Sequence, residues 1–136
     1  MARIRHIALT TENPAKTAAF YKEAFGLTEV RRSPKGAVFL TDGHINLAIL
    51  NWKDNKSADV GAHGENFSGI HHFGFEVDDL DTAGERIKIA NGKALTDKEH
   101  VDAQMAGGAH ANVEMKFSGP DGVVVDISQT GWEGTD

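Results

Sequence analysis

"GIHHFGFEVDDLDTAGERIKIANG", residues 69–92, decides the fold. Its first nine residues alternate apolar and polar, the pattern of a half-buried strand. An acidic turn follows, where Asp78 or Asp79 can cap a helix. Leu80, Ala83, Ile87 and Ala90 then recur at helical spacing, and Gly92 closes the helix. The stretch is decisive because it occurs twice. "HIALTTENPAKTAAFYKEAFG" (His6 to Gly26) and "HFGFEVDDLDTAGERIKIANG" (His72 to Gly92) each place a histidine 20 positions before a glycine.

Further anchors lie downstream. Asn46 precedes Trp52 by six residues and Asp126 precedes Trp132 by six, in a chain with 2 tryptophans. Gly26 to Asn46 is 20 residues and Gly92 to Asp126 is 34, so the second half carries one loop longer by 14. In the first half "RIRHIAL" alternates as a strand, Asn13-Pro14 supplies an N-cap and a first-turn proline, and Gly26 a C-terminal glycine. Short strands follow each helix: "LTEVRR", "AVFLTD" and "HINLAILNW", then "NVEMKF" and "VVVDIS". The turns Pro34-Lys35-Gly36, Asp42-Gly43 and Pro120-Asp121-Gly122 separate them. Strand, helix, then two or three strands, given twice, predicts an α+β fold with helices over one face of antiparallel sheet. The expected organisation is a single domain, with modules at 1–56 and 69–136 and a linker at 57–68. The loop "TDKEHVDAQMAGGAHAN", 96–112, reads as a lid over a site or as a surface excursion.

Composition narrows the function. At 136 residues, 40% hydrophobic and 25% charged, the chain falls in the globular range. A chain of this size buries roughly two-thirds of its unfolded surface, so a metal here must answer to function rather than to folding. Cys is 0, which removes disulfides, thiolate metal sites and thiol nucleophiles. A net charge of −6, with no basic cluster beyond Arg31-Arg32, argues against nucleic acid. No stretch approaches the roughly 18 apolar residues of a membrane span, and a cytoplasmic location is the expectation. No nucleotide-binding glycine loop and no G-x-S-x-G elbow is present.

The arrangement is similar to the vicinal oxygen chelate superfamily, which includes glyoxalase I, methylmalonyl-CoA epimerase, extradiol dioxygenases and the bleomycin and fosfomycin resistance proteins. The resemblance covers nearly the whole chain and rests on "HIALTTENPAKTAAFYKEAFGL", "GIHHFGFEVDDLDTA" and "GPDGVVVDIS". It implies two βαβββ modules whose sheets curl into a cup, a small-molecule substrate and a homodimer. In metal-using members the first strand of each module supplies a histidine and the last a glutamate. Carried onto this chain, those positions are His6, Asn46, His72 and Asp126.

The residues support part of that set. Alternation puts Ile4, His6 and Ala8 on one face of the first strand, and Ile70, His72 and Gly74 on one face of its repeat. Asp126 interrupts an apolar strand and shares its face with Val124 and Ser128; a carboxylate there is costly unless paired or metal-bound. Two imidazoles and one carboxylate suit one divalent transition metal ion: Fe, Mn, Ni, Co or Zn. His71 points to the other face and reads as structural. His44, two residues before Asn46, is a candidate base or substitute ligand beside Asp126. Glu114, Asn46 and, through the long loop, His110 are candidate substrate contacts. Two positions depart from the family pattern: Asp126 reaches about 1.5 Å less far than glutamate, and Asn46 cannot accept a proton at neutral pH.

The expected activity is metal-dependent chelation of neighbouring substrate oxygens, of the lyase or isomerase type or of the extradiol dioxygenase type. Asn46 removes one base that proton transfer uses. Two histidines and one carboxylate resemble the dioxygenase set. The alternative is metal-free sequestration, as in bleomycin resistance proteins, in a cup lined by Phe39, Phe73, Phe75, Trp52 and Trp132. A structural dimer module with a vestigial site is a third class.

Overall fold

The two repeats meet strand to strand. In the computed structural model, which describes residues 1–97 and 113–136, strands β1 (Arg3–Thr11) and β5 (Gly69–Glu76) pair antiparallel at the centre of one sheet. To one side of β1 lie β4 (Asn46–Asn51), β3 (Val38–Thr41) and β2 (Thr28–Arg32). Beyond β5 lie β8 (Val124–Ser128), β7 (Glu114–Ser118) and β6 (Lys93–Ala94). Helices α1 (Pro14–Phe25) and α2 (Leu80–Ile89) complete two βαβββ units. The sheet is mixed rather than purely antiparallel, because β1 runs parallel to β4 and β5 parallel to β8. The two-residue β6 carries no periodicity and was not expected from sequence.

Helix boundaries follow local chemistry. The Asn13 side chain accepts from the Lys16 amide at 3.1 Å, and Gly26, at φ 70°, donates its N–H to the Lys22 carbonyl at 2.9 Å. Of the two aspartates before α2, Asp79 is the cap, accepting from the Thr82 amide at 2.9 Å and its hydroxyl at 2.6 Å. The left-handed residue after α2 is Asn91, at φ 73°. Gly92 is required for a different reason: a Cβ there would lie 2.4 Å from Ile87 Cγ2.

Each helix covers its own apolar cluster on one face of the sheet. Leu9, Val38, Leu40 and Ile49 pack with Ala18 of α1; Val77, Phe117 and Ile127 pack with Leu80, Ala83 and Ile87 of α2. Such burial contributes about 1.5–3 kcal/mol per large side chain. The opposite face is left to form the cup.

Two β-bulges set what enters that cup. Along β1 and β5 the pairing steps from Ile4↔Phe75 to His6↔Gly74, and from Ala8↔His72 to Leu9↔Ile70. Arg5 and His71 are therefore extra residues, each directly before an inward histidine, and a bulge breaks strict alternation. Ile4 and Ile70 consequently do not share a face with His6 and His72. They pair with Phe75 and Leu9, which pack under the helices. Among the described residues, no helix is long and apolar enough to cross a membrane.

Candidate metal and substrate site

β1, β5 and β8 bring His6, His72 and Asp126 together at the bottom of the cup. His72 Nε2 lies 3.1 Å from Asp126 Oδ2 and 3.3 Å from His6 Nε2, and His6 Nε2 lies 3.9 Å from the same Oδ2. All three side chains are buried, Asp126 completely. Two donor atoms on a transition metal with bonds of about 2.1 Å sit roughly 3.0–3.4 Å apart at ordinary angles. Two of the three separations fall in that range; the third opens one angle.

The outer nitrogens fix which ring atoms carry hydrogen. Asn46 Nδ2 donates to the Glu133 carbonyl at 2.9 Å, which turns Asn46 Oδ1 toward His6 Nδ1, also at 2.9 Å. An amide oxygen only accepts, so His6 carries its hydrogen on Nδ1 and presents an Nε2 lone pair inward. On the other side, His71 Nε2 donates to the Val60 carbonyl at 3.0 Å. Burial first, and the nearby His72 charge, push the His71 imidazole down and keep it neutral, so its Nδ1 accepts from His72 Nδ1–H at 2.7 Å. The inward atoms are thus two imidazole nitrogens and a carboxylate oxygen around one place for a positive particle. A divalent ion would fit that donor set.

Asn46 and His71 therefore hold His6 and His72 in orientation. Asn46 lines the cavity, but both ends of its amide are engaged within the protein. His71 is no bystander: the bulge turns it onto His72. A second acidic group, Asp59 with His71 and His72, is also close enough for an ion. There, however, the facing nitrogens already bond to each other and to Val60.

The walls hold residues that the sequence reading missed. Lys116, opposite Asp126 across β7 and β8, places Nζ 3.1 and 3.0 Å from Asp126 Oδ1 and Oδ2, 3.2 Å from Asp59 Oδ2 and 3.4 Å from Glu114 Oε2. Lys53 joins the network through Asp59 at 3.2 Å. Burial disfavours the Lys116 ammonium, yet Asp126, Glu114 and Asp59 outweigh it and hold its pKa well above the usual lysine range. Burial likewise raises the Asp126 carboxyl, but the His72 hydrogen bond and the Lys116 charge overcome it and keep it ionised. Burial first and the His72 charge second push His6 down to about 4. Glu114 moves the other way, raised by burial and then by the Asp126 charge. The Trp132 indole N–H donates to its Oε1 at 2.6 Å. The Trp132 ring stacks on His6, centroids 4.7 Å apart, over Gly74, where a Cβ would lie 2.7 Å from Trp132 Cη2.

The cup encloses a cavity of about 530 Å³, with Phe39, Ala48, Leu50 and Trp132 as apolar wall. Phe73, Phe75 and Trp52 do not line it. Phe75 packs under α2, and the Trp52 indole donates to Ser68 Oγ at 2.7 Å. His44 is not brought to the site either. It belongs to the turn before β4, is largely exposed, and bonds through Nδ1 to Asp136 at 3.0 Å. Strand alternation from Asn46 does not extend into that turn. His110 lies outside the described residues.

A mixed sheet of paired βαβββ units, with histidines on both central strands and a carboxylate on the last, defines a class of protein. Residues 3–127 match the model of the Glyoxalase/Bleomycin resistance protein/Dioxygenase superfamily, and the chain belongs to that family. It is 26% identical over 137 residues to the mitochondrial methylmalonyl-CoA epimerase of Mus musculus, covering 95% of this chain and 74% of that protein. In structure it is similar to a Streptomyces coelicolor methylmalonyl-CoA epimerase variant in complex with 2-nitronate-propionyl-CoA (TM-score 0.66, 20% identity, 92% of this chain and 94% of that one). The 2,3-dioxygenase LapB from Pseudomonas sp. KL28 shares the fold at TM-score 0.58 and 19% identity; there this chain is covered to 93% but spans 40% of the larger protein.

Proposed function

We propose that the protein is a metal-dependent enzyme that binds a small molecule through two neighbouring oxygens and moves a proton beside them. His6 Nε2, His72 Nε2 and Asp126 Oδ2 would hold the ion. The observation that carries the reading is the convergence of these three atoms, within 3.9 Å of one another, with both outer ring nitrogens already committed. When bound, a divalent ion supplies Lewis-acid polarisation of a substrate oxygen and so acidifies an adjacent C–H. Glu114 provides the carboxyl that Asn46 does not. It lines the cavity, is raised by burial and by the Asp126 charge, and is fixed by Trp132. The apolar wall excludes water from the exchanging proton. Relatedness to methylmalonyl-CoA epimerases supports this direction.

A second reading, ring-opening oxygenation of a catechol, is favoured by the 2-His-1-carboxylate set. Metal-free sequestration in the apolar part of the cup is a third. Reconstitution with Co(II), Ni(II) or Fe(II), followed by incubation with small 2-oxo and 2-hydroxy compounds in deuterium oxide, separates them. Glu114-dependent deuterium uptake at carbon is the expected result. Oxygen consumption with catechols on the iron form, without deuterium uptake, would favour the second reading; failure to bind any ion would favour the third. A homodimer whose cups are each complete within one chain is part of the proposal, and light scattering tests it.

A further inference from the structure

We infer that Lys116 makes the cup selective for a substrate that presents a carboxylate as one of its two neighbouring oxygens, a small 2-oxo or 2-hydroxy acid with an apolar remainder; this rests on the metal reading above. With neutral imidazoles and ionised Asp126, a divalent ion leaves one positive charge at the floor of the cup. Lys116 and Lys53 add two, and Asp59 removes one. Glu114 removes at most one more, so the loaded site is positive in either state of that carboxyl. A neutral diol or dicarbonyl leaves this charge uncompensated inside a partly desolvated cavity, whereas a carboxylate lowers it by one.

Geometry names the residue that reads the charge. Lys116 is the cross-strand neighbour of Asp126, and its Nζ stands on the cavity wall 3.0 Å from the oxygen that faces both histidines. A substrate oxygen placed beside that cluster meets this ammonium. Its longest contact is the 3.4 Å one to Glu114, whose other oxygen is held by Trp132 at 2.6 Å. That contact is the one an incoming carboxylate can replace. Arg31, also on the lining, pairs with Glu133 at 3.0 Å and lies over the Phe39 ring. The remainder of the substrate faces Phe39, Leu50 and Trp132, which suits a short alkyl or aryl group.

The test uses the Co(II)-loaded protein and two probes of similar size, oxalate and diacetyl, with binding read from the visible cobalt spectrum at fixed ionic strength. Oxalate should bind at least 10-fold more tightly than diacetyl. Lys116→Met, compared with wild type at matched cobalt occupancy, should weaken oxalate by about 10- to 100-fold more than it weakens diacetyl, the scale of one charge-assisted contact. Lys116→Arg should restore most of the difference. Equal affinity for the two probes, or oxalate binding within twofold of wild type in Lys116→Met, overturns the inference while leaving the metal reading intact. If Lys116→Met does not fold, Lys116→Gln takes its place in the same two measurements. Absence of cobalt uptake overturns both.

Discussion

Replacing His71 by phenylalanine removes the one acceptor that holds His72 with its hydrogen on the outer nitrogen. His71 Nδ1 and His72 Nδ1 lie 2.7 Å apart, His71 Nε2 is 3.0 Å from the Val60 carbonyl, and both rings are buried. Phenylalanine fills a similar volume and leaves His72 Nδ1–H without a partner, at a cost of about 1–3 kcal/mol. His72 can then relieve itself by moving its hydrogen to the inner nitrogen, which blocks the atom that should bind the ion. Loss of such an outer partner weakens metal binding by about 10- to 100-fold. Competition for Zn(II) against a chromophoric chelator measures the affinity, and urea unfolding measures the stability. Ile49→Val, in the α1 cluster, is the control. It should lose about 0.5–1.5 kcal/mol and keep its metal affinity. Should His71→Phe lose stability yet bind Zn(II) within twofold of wild type, the tautomer argument is wrong and His71 is packing alone.

Other consequences follow from the same contacts. Gly74→Ala puts a methyl 2.7 Å from Trp132 and 3.1 Å from His6 Cβ, and should cost about 1–3 kcal/mol. The displaced indole should show red-shifted fluorescence; an unshifted spectrum would contradict the stacking described here. The metal-free protein should weaken in acid. Burial and His72 lower His6 from 6.5 to about 4, so below pH 6.5 the unfolded chain takes up a proton that the folded one refuses. Its share of stability is present above that value and falls by about 3 kcal/mol as pH drops to 4. Urea unfolding at pH 7 and pH 4, compared with His6→Gln, should show the difference shrinking by that amount; a constant difference would contradict it.

Much of the fold was legible because local chemistry is written twice. His6 and His72 each stand 20 residues before a glycine, Asn13 and Asp79 cap the two helices, and Leu80, Ala83 and Ile87 mark a buried stripe. That His6, His72 and Asp126 converge was legible through the same duplication and the lone acid in "VVVDIS". What escaped depended on register. A period of two sends His71 away from His72, and only the bulge opposite Ala8 and Leu9 turns it back. Lys116 lies two residues from Glu114 on the same strand face, so alternation carried a signal that was not read. Asp59 lies between the repeats, where no pattern marks it. Trp132 and Trp52 match in spacing, yet Trp132 covers His6 while Trp52 is partly exposed. Spacing conserves the strand end without fixing the ring's partner.

The most direct measurement is an anomalous difference map from crystals of the protein grown with Co(II). One peak is expected about 2.0–2.3 Å from His6 Nε2, His72 Nε2 and Asp126 Oδ2, with the Asn46 and His71 contacts retained. A peak between Asp59 and His71 instead, or none at full protein occupancy, would contradict it.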